Sequence, residues 1–391
     1  MMFPEYSQRA TNIESFKVMD LLKRARELES MGCDVVHLEV GEPDFATAEP
    51  VAEAAIAAIR AGQTQYTPAA GIPELRDAIA GYYQTRYGLQ IDPAQVLVTP
   101  GASGALLLAF ALLADVGQTF MMSDPGYPCN RQFLRFLQAT AQLVPTGPAE
   151  RFQLTESLIS KHWQPQTAGV LLASPSNPTG TLVPPEQMQA IAQRVRQLGG
   201  QLIVDELYHG LTYGVDAMTA LQVDPDVFVI NSFSKYFGMT GWRLGWVIAP
   251  PDAVKMMEKM AQNLFISPAT VSQYAALAAF QPDSLAIFES RRQAFEQRRD
   301  FLVQGLKSLG FGVPAMPDGA FYVYADASHL TDDSFSFCWS LLEENHIAVT
   351  PGADFGQFEA SRYVRFSYTT GLAQIEKALQ RMAKRFGSSV S

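Results

Sequence analysis

Cysteine and charged residues are both scarce in this chain of 391 residues. Its three cysteines, Cys33, Cys129 and Cys338, lie far apart, which excludes a disulfide framework or a paired-cysteine zinc site and favours a reducing compartment. Charged residues make up 17% of the chain, against about 25% in an average soluble protein. So long a chain with so little charge can bury a large apolar core, which excludes disorder as its main state.

The sequence also lacks a basic excess and a long apolar run. Lysine and arginine total 29 against 39 aspartates and glutamates, a formal net charge of −10. This balance argues against nucleic acid and anionic lipid as partners, because both need a basic face. The longest apolar run, Ala105 to Ala114, is half of the ~20 residues that a membrane helix needs, and residues 1–5 do not resemble the start of a signal peptide. We therefore expect a soluble, cytoplasmic protein without a membrane partner.

Short, nearly continuous apolar segments alternate with helical segments from about Val51 onwards. Such segments are typical of strands buried on both faces, and their alternation with helices predicts an α/β fold with a mostly parallel sheet flanked by helices. The predicted strands are 95–99, 119–123, 169–173, 201–204, 227–230 and 244–248, and the predicted helices include 72–87, 104–114 and 185–198.

The pattern changes after Phe280, where a long charged helix at about 282–309 precedes strands near 321–324 and 363–366 and a last helix at about 372–385. These elements are typical of a smaller α+β domain. A helix at 15–31 and a strand at 34–40 precede the regular alternation, and we expect them to pack with this second part. The sequence therefore predicts a large domain at 48–281 and a small domain formed by 1–47 and 282–391.

Polar residues gather directly after five of the predicted strands. Ligands of open α/β sheets bind outside the carboxyl ends of the strands, so parallel strands would bring these segments to one edge and form a site there. The segments are 100–104 (PGASG), 124–128 (DPGYP), 174–180 (SPSNPTG), 205–208 (DELY) and 231–235 (NSFSK).

The residue types in these segments favour a phosphorylated carbonyl compound. The Gly101 segment opens a helix, whose free N–H groups favour an anion such as phosphate. The guanidinium fork of Arg243 suits a phosphate dianion, and Ser232 and Ser234 add hydroxyl donors. Lys235, near an acid and aromatic residues, indicates a Schiff base with a carbonyl cofactor. The five histidines show no metal-ligand spacing, so no metal site is predicted.

The segment 232–245, SFSKYFGMTGWRLG, resembles the lysine signature of class I/II aminotransferases, which are fold-type I enzymes that use pyridoxal phosphate (PLP). The resemblance continues over nearly the whole chain, in the order and spacing of that family. It implies a PLP-dependent aminotransferase of fold type I, with PLP bound by the large domain. The other matching segments are 40–45 (VGEPDF), 66–68 (YTP) with Gly71 and 74–76 (ELR), 177–180 (NPTG), 205–208 (DELY) and 362–367 (RYVRFS).

The resemblance also implies roles for the residues that hold the cofactor. By position, Lys235 forms the Schiff base with PLP and moves the proton during catalysis, and Asp205 pairs with the pyridine nitrogen. Asn177 and Tyr208 hydrogen-bond the phenolic oxygen, and Tyr127 stacks on the ring. The residues implied for the phosphate are Ala102, Ser103, Ser232, Ser234, Arg243 and, from the other subunit, Tyr66.

For the substrate, the resemblance implies that Arg365 binds the α-carboxylate of an L-amino acid or 2-oxo acid, with Asn177 and the Gly41 backbone beside it. A Tyr66 that reaches the neighbouring site implies a homodimer. The expected reaction is the transfer of an amino group between an L-amino acid and a 2-oxo acid.

Single residues also allow simpler interpretations. Asp205 would serve equally as a helix N-cap, and Tyr127 as a packed aromatic in a turn. Arg362 competes with Arg365 for the carboxylate, but alternation along a strand places the two on opposite faces, and the register of the motif favours Arg365.

Two other functions stay open at this point. One is a different fold-type I PLP enzyme, such as a carbon–sulfur lyase or a synthase, which would use the same residues. The other is a non-catalytic PLP-binding regulator, for which the chain lacks both a preceding DNA-binding domain and basic charge.

The substrate is only weakly indicated. Some aspartate-using relatives carry a lysine in the Gly101 loop where this chain has Ser103 and Gly104. This weakens aspartate as a substrate but leaves it open, since a residue of a partner chain could supply the charge. Ile13, Phe16, Tyr127 and Phe265 are candidates for the side-chain pocket, and they favour a neutral or aromatic amino acid.

Overall fold

A computed structural model describes residues 6–15 and 17–387. Within them the strands are β1 (Val36–His37), β2 (Val96–Thr99), β3 (Thr119–Asp124), β4 (Thr140–Pro145), β5 (Thr167–Ala173), β6 (Gln201–Asp205), β7 (Phe228–Ser232), β8 (Gly245–Ile248), β9 (Tyr322–Asp326), β10 (Ile347–Ala348), β11 (Thr350–Pro351) and β12 (Tyr363–Ser367). The α-helices of the same residues are α1 (Gln8–Asn12), α2 (Lys17–Ser30), α3 (Glu49–Arg60), α4 (Pro73–Tyr87), α5 (Gly101–Leu113), α6 (Pro128–Phe136), α7 (Glu156–His162), α8 (Pro185–Gln197), α9 (Pro251–Leu264), α10 (Thr270–Ala279), α11 (Pro282–Ser308), α12 (Ser334–Asn345) and α13 (Leu372–Phe386).

The largest sheet of the described residues has seven strands in the order β2-β8-β7-β6-β5-β3-β4. β8 is antiparallel to both of its neighbours, and the other paired strands are parallel. The predicted α/β fold with a mostly parallel sheet is therefore confirmed. The sequence did not predict β4, because this edge strand is only partly buried and includes Gln142, so it lacks a continuous apolar run.

The central strands are apolar because helices cover both faces of the sheet. In β2, Val96 and Val98 belong to one core, and Leu97 between them belongs to the other. Leu75 of α4 packs in the first core, and Leu106 of α5 packs in the second. Complete burial of such a side chain contributes about 1.5–3 kcal/mol, so the two cores hold the strand ends in fixed positions.

The remaining strands of the described residues form a smaller antiparallel sheet, β11-β12-β9, and a parallel pair, β1 and β10. The predicted strand at 34–40 is ordered as a strand only over Val36–His37. Leu21 and Leu28 of α2 pack with Leu342 and Ala348, so the N-terminal helix contacts the C-terminal part as expected. The division at residues 48 and 282 stays a prediction.

The helices of the described residues include none whose length and apolar character would suit it to cross a membrane. This agrees with the short apolar runs of the sequence.

Candidate active site

The polar segments predicted to converge meet at the carboxyl ends of the parallel strands, around a cavity of about 420 Å³. Twelve of the thirteen predicted site residues line this cavity, and Tyr66, which is 81% exposed, does not. The lining residues are Gly41, Ala102, Ser103, Tyr127, Asn177, Asp205, Tyr208, Ser232, Ser234, Lys235, Arg243 and Arg365.

Lys235 lies three residues beyond the end of β7, with its amine inside the cavity. Its Nζ donates a hydrogen bond of 2.7 Å to the carbonyl oxygen of Gly41. Burial lowers the pKa of Lys235 to about 8, although the nearby Glu42 carboxylate opposes that shift. A lysine with this pKa keeps a sizeable neutral fraction near pH 7–8, and the neutral amine is the nucleophilic form.

Asp205 is the last residue of β6 and is buried. It does not cap a helix, since residues 207–210 form a turn and its Oδ1 accepts a 3.1 Å hydrogen bond from the Leu207 amide. Burial raises the pKa of Asp205 to about 6, against the effect of the Leu207 hydrogen bond. The side chain is therefore mostly ionised at neutral pH and gains from a cationic partner.

The start of α5 and the loop after Lys235 form a cradle for an anion. Gly101 begins α5 with a φ of +69°, a conformation that favours glycine, and a β-carbon there would lie 2.7 Å from Nη2 of Arg243. The first amides of α5 lack intrahelical acceptors. Ser232 lies beside them, and its Oγ accepts a 3.0 Å hydrogen bond from the Ser234 amide.

Arg365 lies in β12 and Arg362 directly precedes that strand, and the two have different environments, as their spacing predicts. Arg362 is 42% exposed and forms a 2.6 Å ion pair with Asp326. Arg365 is 5% exposed and lines the cavity. Of these two arginines, Arg365 is therefore the one that is placed to bind a ligand in the cavity.

The guanidinium of Arg365 is held by neutral groups. Nη1 donates to Oδ1 of Asn177 at 3.0 Å, and Nη2 donates to Oγ1 of Thr350 at 3.2 Å and to the carbonyl oxygen of Glu39. Its Nε is buried and has no hydrogen-bond partner. A buried cation with an unused donor is suited to a carboxylate from outside the chain.

Lys235, Arg243 and Arg365 share one cavity, and in the described part of the chain none of them forms an ion pair with a carboxylate. Arg243 suits the phosphate of PLP, and Arg365 suits the carboxylate of a substrate. The amine of Lys235 suits the aldehyde of PLP. Asp205 adds an anion for a pyridine nitrogen. The residues present therefore fit PLP together with an amino acid.

Two tyrosines of the predicted site have polar partners within it. The hydroxyl of Tyr208 lies 2.9 Å from the hydroxyl of Tyr322. Tyr127 precedes α6 and is 37% exposed, and it accepts a 3.3 Å hydrogen bond from the thiol of Cys129. Tyr127 is thus part of the cavity wall and not a fully packed turn aromatic.

Several lining residues were not predicted from the sequence, namely Val18, Met19, Leu22, Glu39, Leu106, Phe133, Tyr322, Asp354 and Phe355. The helical spacing of Met19 and Leu22 identified α2 but gave no reason to place it at the site. Of the four pocket candidates, Tyr127 lines the cavity, whereas Ile13 does not and Phe265 packs against the core that contains α5. Phe16 lies outside the described residues.

Solved structures and known relatives of the whole chain resemble it closely. The crystal structure of an aminotransferase from Mycobacterium tuberculosis matches with a TM-score of 0.95 at 40% identity, covering 99% of this chain and 100% of that one. The valine–pyruvate aminotransferase of Mycobacterium tuberculosis is 42% identical over 372 residues, 95% of this chain and 96% of the relative. The aspartate/prephenate aminotransferase of Thermus thermophilus is 35% identical over 384 residues, 97% of this chain and 98% of the relative.

Fold and cavity together define a fold-type I enzyme that depends on PLP. More narrowly, residues 33–382 match the model of the family aminotransferase class I and II, and the chain belongs to that family. It is a PLP-dependent aminotransferase, whose substrates are amino acids and 2-oxo acids.

Proposed function

We propose that Lys235 is the residue that attaches PLP, through Nζ. The observation that carries this proposal is the meeting of three cations without ion pairs in a single cavity, with the buried carboxylate of Asp205 at the end of β6. Lys235 is the one amine of the three, and its lowered pKa favours attack on an aldehyde.

Four side chains would hold the ring of PLP. Asp205 would pair with the pyridine nitrogen, and the charge of that nitrogen would in turn keep Asp205 ionised despite its burial. Asn177 and Tyr208 would hydrogen-bond the phenolic oxygen, and Tyr127 would stack on the ring. All four line the cavity, which supports these roles.

The phosphate would lie in the cradle at the start of α5. Donors of three kinds are available there: the free amides of the first helical turn at Ala102 and Ser103, the hydroxyls of Ser232 and Ser234, and the guanidinium of Arg243. The helix dipole and the arginine both favour a dianion.

When bound, PLP supplies an aldehyde that exchanges amines and a ring that withdraws electrons from the substrate Cα. Lys235 would take the proton from the substrate Cα at its Nζ and deliver it to C4′, the carbon of PLP that carries the aldehyde. A pKa near 8 suits this use, since the amine both accepts and releases a proton near neutral pH.

Arg365 would bind the α-carboxylate of the substrate with its unpaired Nε, while Asn177 holds Nη1 in place. The Gly41 backbone would lie beside the same carboxylate. Fixing the carboxylate at one end and the amine at the other orients the bond that breaks, which determines the reaction type as well as the affinity.

We propose that the donor has a neutral, apolar side chain. Lys235, Arg243 and Arg365 are each committed to another group, which leaves no cation among the described lining residues for a second carboxylate. The side-chain region is lined by apolar residues such as Val18, Leu22 and Phe355. The 42% identity to an enzyme named valine–pyruvate aminotransferase supports the same class.

The active unit is proposed to be a homodimer in which Tyr66 completes the phosphate site of the partner. Its support is indirect: Tyr66 is 81% exposed, outside the cavity of its own chain.

We also propose a cytoplasmic location, because the three cysteines are free thiols, the form that a reducing compartment preserves. Subcellular fractionation of the native host would test this, and a secreted or organellar pool alone would contradict it.

Borohydride trapping tests the assignment of Lys235. Wild-type protein loaded with PLP and reduced with borohydride should gain the mass of one pyridoxyl phosphate, located by peptide mapping at Lys235. Lys235→Ala should gain none there and lose transamination by at least about 1000-fold, since the nucleophile and the proton carrier are one group. Attachment at another lysine would contradict the proposal.

Transamination kinetics with different amino donors define the donor class. With pyruvate as acceptor, valine and other apolar donors should exceed aspartate and glutamate in kcat/KM. A preference for the acidic donors would refute the neutral side-chain pocket while leaving the role of Lys235 intact.

A further inference from the structure

Tyr322 lies where the cofactor side and the substrate side of the cavity meet. It is the first residue of β9 and is 1% exposed. Its hydroxyl packs so closely on Gly41 that a β-carbon there would overlap it. The carbonyl of Gly41 in turn accepts the hydrogen bond of Lys235, so Tyr322 also lies against the backbone that holds the reactive amine.

The hydroxyl of Tyr322 serves the cofactor side. It lies 2.9 Å from the hydroxyl of Tyr208, and both side chains are buried. In such a pair, the tyrosine that accepts a hydrogen bond becomes a better donor to its next partner. When Tyr322 is the donor of this hydrogen bond, the proton of Tyr208 is left to point into the cavity.

The ring of Tyr322 serves the substrate side. The guanidinium carbon of Arg365 lies 4.4 Å from the centroid of the Tyr322 ring and 4.7 Å from that of Phe355. The cation has no carboxylate partner in the described chain, so these two rings and three neutral acceptors fix its position. A cation stacked on a desolvated aromatic ring is held more firmly than one beside an aliphatic side chain.

We propose that Tyr322 is a positioning residue with two separable functions, in which its hydroxyl orients Tyr208 toward the cofactor and its ring orients Arg365 toward the substrate carboxylate. The inference rests on the proposed roles of Tyr208 and Arg365. Neither function involves contact of Tyr322 with the reacting atoms.

Two substitutions separate the functions. Tyr322→Phe removes the hydroxyl and keeps the ring, whereas Tyr322→Leu removes both. Tyr324 offers matched controls, Tyr324→Phe and Tyr324→Leu, because it lies on the same strand and face, is 2% exposed, stacks on Tyr363 and does not line the cavity. For each variant we would measure the dissociation constant of PLP from the apoprotein, that of 3-methylbutanoate from the PLP-loaded protein, and kcat and KM for valine.

Tyr322→Phe should weaken PLP binding and lower kcat by ~2- to 10-fold, the range of one neutral hydrogen bond, and should leave 3-methylbutanoate binding within twofold of wild type. Tyr322→Leu should in addition weaken 3-methylbutanoate binding and raise KM by ~3- to 30-fold, the range of one desolvated cation–π contact. The Tyr324 variants should change none of these constants more than twofold.

Wild-type PLP affinity and kcat in Tyr322→Phe would refute the function of the hydroxyl, and unchanged carboxylate binding in Tyr322→Leu would refute that of the ring. Equal effects in the Tyr324 variants would reduce Tyr322 to a packing residue. Wild-type protein that attaches no PLP at Lys235 would instead refute the proposed function, and this inference with it.

Discussion

Glu206 follows Asp205 in sequence and is buried without a cation to pair with. Its Oε1 accepts hydrogen bonds from Thr219 Oγ1 at 3.0 Å and from the Ala220 amide at 2.7 Å, and its Oε2 lies 3.3 Å from Nδ1 of His209. Burial raises the pKa of Glu206 to about 8 and lowers the pKa of His209 to about 3. At pH 7 the pair is therefore a neutral carboxyl and a neutral imidazole, and Asp205 beside it carries the negative charge.

This protonation state predicts that Glu206→Gln changes stability with pH. In the unfolded chain the carboxyl loses its proton near pH 4.5, but in the folded chain only near pH 8. Between these values the folded state binds more protons, so the free energy of unfolding of the wild type falls as pH rises. Glutamine keeps an acceptor for Thr219 and Ala220, and it does not titrate.

Relative to wild type, Glu206→Gln should therefore gain roughly 2–4 kcal/mol between pH 5 and pH 8. Urea unfolding at fixed protein concentration, at each pH unit, measures this difference. Glu53→Gln, at an exposed position of α3, serves as the control and should show no trend. A difference for Glu206→Gln that does not vary with pH would mean that the buried carboxyl is ionised throughout.

At the scale of elements, the anion cradle at the start of α5 depends on the backbone conformation of Gly101, and Gly101→Ala tests this dependence. Alanine is strained at a φ of +69°, and its methyl group would displace Arg243. Gly88, which ends α4, has the same φ of +69° with nothing near its missing β-carbon. Both Gly101→Ala and Gly88→Ala should lose about 1 kcal/mol of stability, measured by urea unfolding.

Only Gly101→Ala should weaken PLP binding, by ~10- to 100-fold, since Arg243 and the first amides of α5 would no longer meet at the phosphate. Fluorescence titration of the apoproteins with PLP measures the affinity. Similar PLP affinity in the two variants would show that the cradle does not depend on the close approach of Gly101 and Arg243.

In the seven-stranded sheet, the sequence predicted the strands that are largely buried and missed β4, an edge strand with partial burial. It also missed β10 and β11, which are buried but only two residues long. The polar segments at strand ends predicted most of the cavity. Alternation placed Arg362 and Arg365 on opposite faces, and the register of the family motif selected Arg365. Tyr322 was missed because it lies inside a strand, and its role depends on contacts with residues 114 and 43 positions away.

At the scale of the whole molecule, one predicted site residue lies outside the cavity of its own chain. Tyr66 is 81% exposed, and other large apolar side chains are exposed as well, including Ile59 (56%), Leu264 (57%) and Ile266 (54%). Thr270, at the start of α10, donates a 2.6 Å hydrogen bond to the carbonyl of Gln65, which holds the Tyr66 segment against α10. A tyrosine held outward in this way is suited to reach a site on a second copy of the chain.

Mixing one impaired variant with one inactive variant tests whether the site is shared between subunits. Tyr66→Ala should lower PLP affinity and activity by ~10-fold or more, and Lys235→Ala should abolish activity. In a mixed dimer, one site combines both substitutions and the other has neither, because a two-fold axis exchanges the contributions of the two chains. Random re-pairing after co-expression makes half of the dimers mixed, each with one intact site, so the mixture should recover roughly a quarter of wild-type activity. Activity that only equals the average of the two separate variants would mean that Tyr66 acts within its own chain or not at all.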